Sequence, residues 1–123
     1  MPLFVVHKHQ ATHLHWDFRL ELDGVLKSWA VPKEPSMDPA VKRLAIQVDD
    51  HDLSYGKFEG EIAEGYGKGT VEIWDKGTYT LVNRKESKLI INLKGKKLKG
   101  KFVLLKFAKA GKNQWLLFKK KEE

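Results

Sequence analysis

Hydrophobic and polar residues alternate along most of this chain, a period typical of β-strands rather than helices. The alternation is clearest in residues 13–22. One face of that segment carries apolar side chains and the other carries polar ones, namely Leu14, Trp16, Phe18, Leu20 and Leu22 against His13, His15, Asp17, Arg19 and Glu21. Asp23-Gly24 follows, a dipeptide typical of two-residue hairpin turns. The pattern predicts a β-hairpin whose second strand is residues 25–31.

The same reasoning predicts further short strands between turns rich in glycine and proline. The complete set is residues 3–8, 13–22, 25–31, 43–48, 70–74, 78–83, 88–94, 101–108 and 114–119, with Gly77, Gly95, Gly100 and Gly111 between the later ones. One helical turn is predicted near residues 38–42. Evenly spaced short strands are typical of antiparallel barrels and sandwiches, and a barrel leaves no exposed edges. We therefore predict an all-β fold, a small antiparallel β-barrel of about eight or nine short strands with little helix.

Length and composition narrow the class of protein. A chain of 123 residues suits a single domain spanning residues 1–123. With 41% hydrophobic and 32% charged residues it is typical of a globular protein. The lack of cysteine excludes disulfides, thiolate zinc sites and cysteine nucleophiles. The sequence has no apolar run long enough to cross a membrane and no signal peptide, so we expect a cytoplasmic protein without membrane contact.

The charge is concentrated at one end of the chain. Residues 1–83 contain nine basic and 13 acidic side chains, a balance of −4. Residues 84–123 contain 14 basic and three acidic side chains, a balance of +11. Such a surface attracts polyanions, nucleic acid first among them, although a solvated lysine-rich face gives the same count.

The polar face of residues 13–22 is the chemical centre of the sequence. His15 and Asp17 are two residues apart on one strand, about 6–7 Å along the backbone, and share a face. A turn at residues 10–12 would bring His9 to them. Two imidazoles and a carboxylate suit Mn²⁺, Zn²⁺ or Fe²⁺ and leave positions open for water and substrate. The alternative is a polar surface strand whose histidines are incidental.

Other polar residues suggest phosphate chemistry but leave alternatives open. Arg19 lies one step beyond Asp17 on the same face and is either a phosphate clamp or a salt-bridge partner of Asp17 or Glu21. His51 stands among Asp49, Asp50 and Asp52, which predicts a raised pKa suited to proton donation, unless it is simply an exposed loop residue. The glycine-rich residues 65–69 precede a strand, which favours a tight turn at the barrel rim over a nucleotide-binding loop.

Residues 4–21, FVVHKHQATHLHWDFRLE, closely resemble the 3′-phosphoesterase domain of bacterial DNA ligase D. The resemblance covers most of residues 4–82, with a weaker echo at 115–117; its other matching segments are residues 23–33, 42–45, 50–51, 58–60 and 69–71, with Tyr55. It implies a stand-alone member of that family, a small β-barrel with a metal site in its cavity.

The resemblance also implies an activity and its requirements. The family uses Mn²⁺, with Co²⁺ or Zn²⁺ as other candidate metals, to remove a 3′-terminal ribonucleoside and then the remaining 3′-phosphate. The implied substrate is a DNA primer-template with a 3′-ribonucleotide or 3′-phosphate end. A separately encoded DNA ligase or polymerase is the implied partner, and we expect a monomer.

The resemblance assigns roles to residues position by position. It implies the metal ligands His9, His15 and Asp17. It implies contacts from Arg19 and His51 to the scissile phosphate. Further active-site positions match Tyr55, with a catalytic role, and Lys33 and Arg43, with phosphate-binding roles; Tyr66 is a weaker match. His51 would either protonate the leaving oxygen or stabilise the equatorial phosphate oxygens.

The chain departs from the family pattern in three places. His7 stands where the family usually has Gln, and the glycine loop lacks one residue found in many members. The family's polar segment before the first strand is not present here, which predicts a change in the strength or balance of the two activities.

Two other functions fit parts of the sequence. The first is a non-catalytic nucleic-acid-binding barrel with basic C-terminal strands and four aromatic stacking platforms, namely Trp74, Tyr79, Phe107 and Trp115. The second is a metal-dependent enzyme for small molecules, which leaves the basic C-terminal part unexplained.

Overall fold

A computed structural model describes residues 2–63, 68–107 and 111–121. It contains nine strands and one short 3₁₀ helix at Leu53–Lys57. The strands are β1 (Leu3–Gln10), β2 (Leu14–Leu22), β3 (Val25–Val31), β4 (Arg43–His51), β5 (Gly60–Ile62), β6 (Gly69–Lys85), β7 (Lys88–Lys94), β8 (Lys99–Lys106) and β9 (Gln114–Lys119).

Eight of these strands close into an antiparallel barrel. Their order is β1-β2-β3-β4-β9-β8-β7-β6, and β6 pairs again with β1. The three-residue strand β5 adds to the start of β6 outside the ring. The predicted all-β barrel is confirmed. Within the described ranges, no helix is long and apolar enough to cross a membrane.

The hairpin between β2 and β3 has the turn that the sequence predicts. Asp23 and Gly24 have φ angles of 57° and 80°, the conformation of a type I′ turn, whose twist matches that of the strands it joins. The two-residue turn fixes the register, so that Arg19 lies directly opposite Ser28. The turn between β1 and β2 extends through His13, which the sequence had placed in the strand.

The prediction of separate strands at residues 70–74 and 78–83 is wrong, because both belong to the 17-residue strand β6. Gly77, predicted to separate them, lies inside the strand. A β-carbon at Gly77 would collide with the Lys94 carbonyl oxygen. Glycine is needed there for the close approach of β7, not for a turn.

The helical segment is also not where the sequence predicted it. Residues 38–42 form a turn with a hydrogen bond from the Val41 amide to the Asp38 carbonyl oxygen, and the 3₁₀ helix is Leu53–Lys57. Strand β4 continues past the predicted end to His51. Short 3₁₀ turns serve as connectors and have weak sequence signals.

The barrel interior is filled by apolar side chains from its strands, including Phe18, Trp29 and Phe102. Two of the proposed stacking platforms belong to this core, since Tyr79 is 1% exposed and Trp115 is 6% exposed. They cannot stack on bases from inside the barrel, so that prediction is wrong for both. Trp74 is half-buried, and Phe107 is exposed.

Candidate metal and phosphate site

The candidate site lies on the outer face of β1, β2 and β3. Successive side chains of a strand point to opposite faces, so Asp17 and Arg19 point away from the core that contains Phe18. The expectation of a metal site inside the barrel cavity is therefore wrong. Apolar side chains fill that interior, and the polar cluster lines an open cleft of about 860 Å³ on the other side of the sheet.

Three potential metal ligands converge at one edge of this cleft. His9 lies directly opposite His15 in the β1–β2 pairing. The His9 Nδ1 and His15 Nε2 atoms lie 3.5 and 3.2 Å from Asp17 Oδ2. One ligand atom from each residue lies within 4.8 Å of the others. His15 Nδ1 donates to the His13 carbonyl oxygen at 3.1 Å, which leaves Nε2 facing Asp17.

The donor set of this cluster fits a divalent transition metal. Two imidazole nitrogens and one carboxylate oxygen suit Mn²⁺, Co²⁺ or Zn²⁺ and leave positions open. Burial pushes the Asp17 pKa upward, but the hydrogen bond from His15 and the charge of Arg19 outweigh it and hold that pKa below its usual value. The same hydrogen bond raises the pKa of His15. Asp17 is thus ionised, as a metal ligand must be.

Arg19 is fixed beside the ligand cluster by three contacts. Its Nε donates to His7 Nδ1 at 3.0 Å, and Nη1 donates to Ser28 Oγ at 2.8 Å. Nη2 lies 3.2 Å from Asp17 Oδ2. Arg19 is 3% exposed, yet its side chain lines the cleft. A guanidinium has five N–H groups, so at least two remain for a further acceptor such as a phosphate oxygen.

Aromatic rings from the 3₁₀ helix and β4 form a wall over Arg19. The Tyr55 ring stacks on His51 with centroids 4.5 Å apart. The Arg19 Cζ atom lies 4.9 Å from the Tyr55 centroid, and His7 meets the same ring edge-on at 5.3 Å. Phe58 also stacks on Tyr55, with centroids 5.2 Å apart. The structure therefore brings Tyr55 and His51 to the site, as expected from the resemblance.

The expectation of a raised pKa for His51 is wrong. Asp49 and Asp52 do push the pKa upward, but burial and the nearby charge of Arg19 push it down further, and the net shift is downward. His51 is also the last residue of β4 rather than a loop residue. The sequence showed the acidic neighbours and could not show the buried arginine.

Two of the expected phosphate contacts are not among the residues that line the cleft. Lys33 is exposed in the loop after β3. Arg43 donates from Nε to the Glu34 carbonyl oxygen at 2.7 Å, and shares its strand face with the core residue Ala45. Neither Lys33 nor Arg43 lines the cleft. Tyr66 and most of the predicted glycine turn lie outside the described residues.

Sequence analysis missed three polar side chains that shape the site. His7 and Ser28 position Arg19, and Lys68 lines the cleft. The signal for His7 was its spacing of two from His9 on one strand. The signal for Ser28 was the Asp23-Gly24 turn, because a two-residue turn fixes the strand register in which Ser28 lies opposite Arg19. We find no signal that distinguishes Lys68 from other surface lysines.

The fold and the cluster define a class: a closed β-barrel with a candidate divalent-metal site beside a buried arginine on its outer face. Comparison with known families makes the class specific. Residues 7–106 match the family model of the DNA ligase D 3′-phosphoesterase domain. The chain belongs to this family.

Three relatives illustrate the extent of the similarity. The chain is 51% identical over 126 residues to the multifunctional non-homologous end joining protein LigD of Pseudomonas aeruginosa, covering 97% of this chain and 15% of the relative. It is 42% identical over 125 residues to the corresponding DNA repair protein of Mycobacterium tuberculosis, covering 98% and 16%. It is 40% identical over 132 residues to that of Mycolicibacterium smegmatis, covering 98% and 17%. The chain spans about one sixth of the length of these relatives.

Proposed function

We propose that the protein is a metal-dependent phosphoesterase that repairs DNA 3′ ends. It removes a 3′-terminal ribonucleoside to leave a 3′-phosphate, and then removes that phosphate to leave a 3′-hydroxyl. The observation that carries the proposal is the convergence of His9, His15 and Asp17 beside Arg19 in one cleft. Family membership supports hydrolysis of phosphate esters in DNA end joining.

In this proposal His9, His15 and Asp17 hold the metal, with Mn²⁺ the first candidate and Co²⁺ or Zn²⁺ the others. When bound, the ion supplies a Lewis acid for a phosphate oxygen. Hydrolysis joins a water oxygen to phosphorus, breaks the bond from phosphorus to the leaving ester oxygen, and transfers a proton from the water to that oxygen. The ionised Asp17 and the Nε2 atom of His15 are already oriented for ligation.

Arg19 binds the scissile phosphate and stabilises the charge that develops on it. Its contacts to His7, Ser28 and Asp17 hold the guanidinium plane at the cleft. A donor fixed before the reaction does not have to reorganise during it, which is the main source of electrostatic catalysis. The Tyr55 ring covers Arg19 and restricts its movement.

His51, which stacks on Tyr55, binds the same phosphate. Its lowered pKa favours a neutral imidazole in the free protein. This supports hydrogen bonding to the equatorial phosphate oxygens over storage of a proton for the leaving group. The substrate is a DNA primer-template, the active species is a monomer, and a separately encoded ligase or polymerase uses the repaired end.

The test is an assay with Mn²⁺ on a primer-template whose primer ends in a single 3′-ribonucleotide. We expect conversion to a 3′-phosphate and then to a 3′-hydroxyl, and loss of both steps in His15→Ala. His13→Ala is the matched control, because it removes an exposed imidazole nearby and keeps the backbone oxygen that orients His15.

Metal binding is measured in parallel by calorimetric titration of Mn²⁺. We expect His15→Ala to weaken the affinity by roughly tenfold or more and His13→Ala to leave it nearly unchanged. DNA binding by the wild-type protein without conversion of the end would contradict the proposed activity and favour a non-catalytic binding module.

A further inference from the structure

The turn between β7 and β8 is built around a buried carboxylate. Asp75 on β6 is 4% exposed. Its oxygens accept hydrogen bonds from four backbone amides at 2.8–3.1 Å, those of Lys76, Lys96, Lys97 and Leu98. A carboxylate with this many amide donors holds a turn in one conformation.

Two further contacts fix the same turn to the barrel. Leu98 is 1% exposed and packs in the core, and the Gly95 amide donates to the Leu98 carbonyl oxygen at 3.0 Å. A β-carbon at Gly95 would collide with the Asp75 carboxylate. The backbone of residues 94–99 is therefore rigid, and we name this segment the lysine turn.

The rigid turn displays four exposed lysines, namely Lys94, Lys96, Lys97 and Lys99. Lys94 and Lys99 lie directly opposite each other in the β7–β8 pairing. Like charges in such a pair destabilise a sheet. The arrangement therefore costs stability in the free protein and suits a polyanion that neutralises it.

Three cations elsewhere on the barrel have acidic neighbours. Lys8 faces Glu72, Lys27 pairs with Asp50, and Arg84 pairs with Asp23. In the part of the chain that the structure describes, no lysine of the turn has an ion pair; Lys97 instead lies over the Trp74 ring at 4.5 Å.

The path along β6 from the candidate metal cluster to the lysine turn is comparable in length to a short stretch of duplex. Val71 on β6 lies opposite His9, and Gly77 on the same strand touches Lys94. Gly77 is six positions beyond Val71, which corresponds to about 20 Å along the strand. Duplex DNA rises 3.4 Å per base pair, so 20 Å corresponds to about six base pairs.

We propose that the lysine turn binds the phosphate backbone of duplex DNA about six base pairs from the 3′ end that occupies the cleft. The inference rests on the proposed function for the position of that end. The preformed turn, its opposed lysines and its distance from the cluster support it. It assigns the attraction of the basic C-terminal strands for nucleic acid to one turn.

The test uses two triple variants that remove equal charge. Lys94→Gln, Lys96→Gln and Lys99→Gln change the lysine turn and spare Lys97, which contacts Trp74. Lys85→Gln, Lys88→Gln and Lys106→Gln change the far ends of β7 and β8 and the adjoining end of β6. Binding is measured by fluorescence anisotropy on a primer-template of about twelve base pairs, twice the inferred span, with a 3′-hydroxyl end that the enzyme does not cleave.

We expect the lysine-turn variant to raise the Kd by on the order of tenfold or more. We also expect the slope of log Kd against log salt concentration to fall by the amount that about two to three phosphate contacts contribute. The control variant changes both quantities much less. On primer-template with a 3′-phosphate, the lysine-turn variant raises KM and keeps kcat. On a 3′-phosphorylated dinucleotide, too short to reach the turn, kcat/KM stays at the wild-type value.

Two results would overturn the inference: equal losses in the two variants, or a loss on the dinucleotide as large as that on the duplex. If the wild-type protein hydrolyses neither substrate, the proposed function is wrong. The comparison of the two variants in the binding assay still decides whether the lysine turn binds duplex DNA.

Discussion

The Nε–H of Arg19 donates to Nδ1 of His7 at 3.0 Å, in the buried layer beneath the cleft. A ring nitrogen that accepts a hydrogen bond carries no proton, so His7 is neutral in the folded protein. Burial first, and the Arg19 charge second, lower the pKa of His7 to about 4. His7 is thus an acceptor that orients the guanidinium.

This relationship predicts opposite outcomes for two substitutions of His7. His7→Gln retains a side-chain oxygen that can accept from Arg19, and we expect near wild-type stability and activity. His7→Leu leaves a buried N–H without an acceptor, which costs about 2 kcal/mol. Urea unfolding of the metal-free protein measures the free energy of unfolding, and equal stability of the two variants would show that the hydrogen bond does not matter.

The His7 pKa also predicts how stability depends on pH. The folded value of about 4 lies below the value of 6.5 that is usual for histidine. Above pH 6.5 the ring is neutral in both states and has no effect. As the pH falls from 6.5 to 4, the unfolded chain binds a proton that the folded protein excludes, and up to about 3 kcal/mol of stability is lost.

Neighbouring groups change the stability in the opposite direction. The raised pKa of His15, for example, stabilises the fold as the pH falls. The measurement is therefore the free energy of unfolding as a function of pH, compared between the wild-type protein and His7→Gln in the presence of a chelator. The wild-type protein loses more stability than the variant between pH 6.5 and 4. Parallel curves would contradict the burial of a neutral His7.

The stacked pair of His51 and Tyr55 predicts separate effects on rate. His51→Ala removes the phosphate contact that we propose for this residue, and we expect kcat to fall by roughly 10²–10³ on both diester and monoester. Tyr55→Phe keeps the ring that stacks on His51 and covers Arg19, and should cost less than tenfold. Steady-state assays on both substrates check this. Nearly full activity of His51→Ala would remove it from the site.

Asp75 predicts a structural effect far from the chemistry. Asp75→Asn replaces a buried carboxylate that accepts from four amides, and we expect a loss of about 2 kcal/mol in the free energy of unfolding. Glu72→Gln on the same strand is the control, because its side chain is 59% exposed. Denaturant unfolding compares them. A loss in Glu72→Gln as large as in Asp75→Asn would show that the buried carboxylate is not special.

Much of the fold was predictable because its signals are local. The Asp23-Gly24 turn and the alternation of residues 14–22 give the β2–β3 hairpin and its register. The prediction failed at a glycine that is needed for a contact with another strand and not for a turn. Gly77 serves the close approach of β7, a contact that no pattern along β6 can show.

The candidate site divides in the same way. His15, Asp17 and Arg19 share a strand face, so their grouping follows from a period of two. The roles expected for Lys33 and Arg43 came from position in a motif and stay predictions; in the structure Arg43 donates to the Glu34 carbonyl oxygen. Ser28 and His7 needed strand pairing before their contact with Arg19 became visible.

The sequence by itself determined the β-class of the fold, the hairpin register and the identity of the potential ligands, because alternation and turn chemistry act between neighbouring residues. Only the tertiary structure decided which side of the barrel carries the site, since both faces of β2 are buried. It also decided the direction of the His51 pKa shift. Burial and the charge of Arg19 are set by strands that meet in space, and the order of residues along the chain does not contain them.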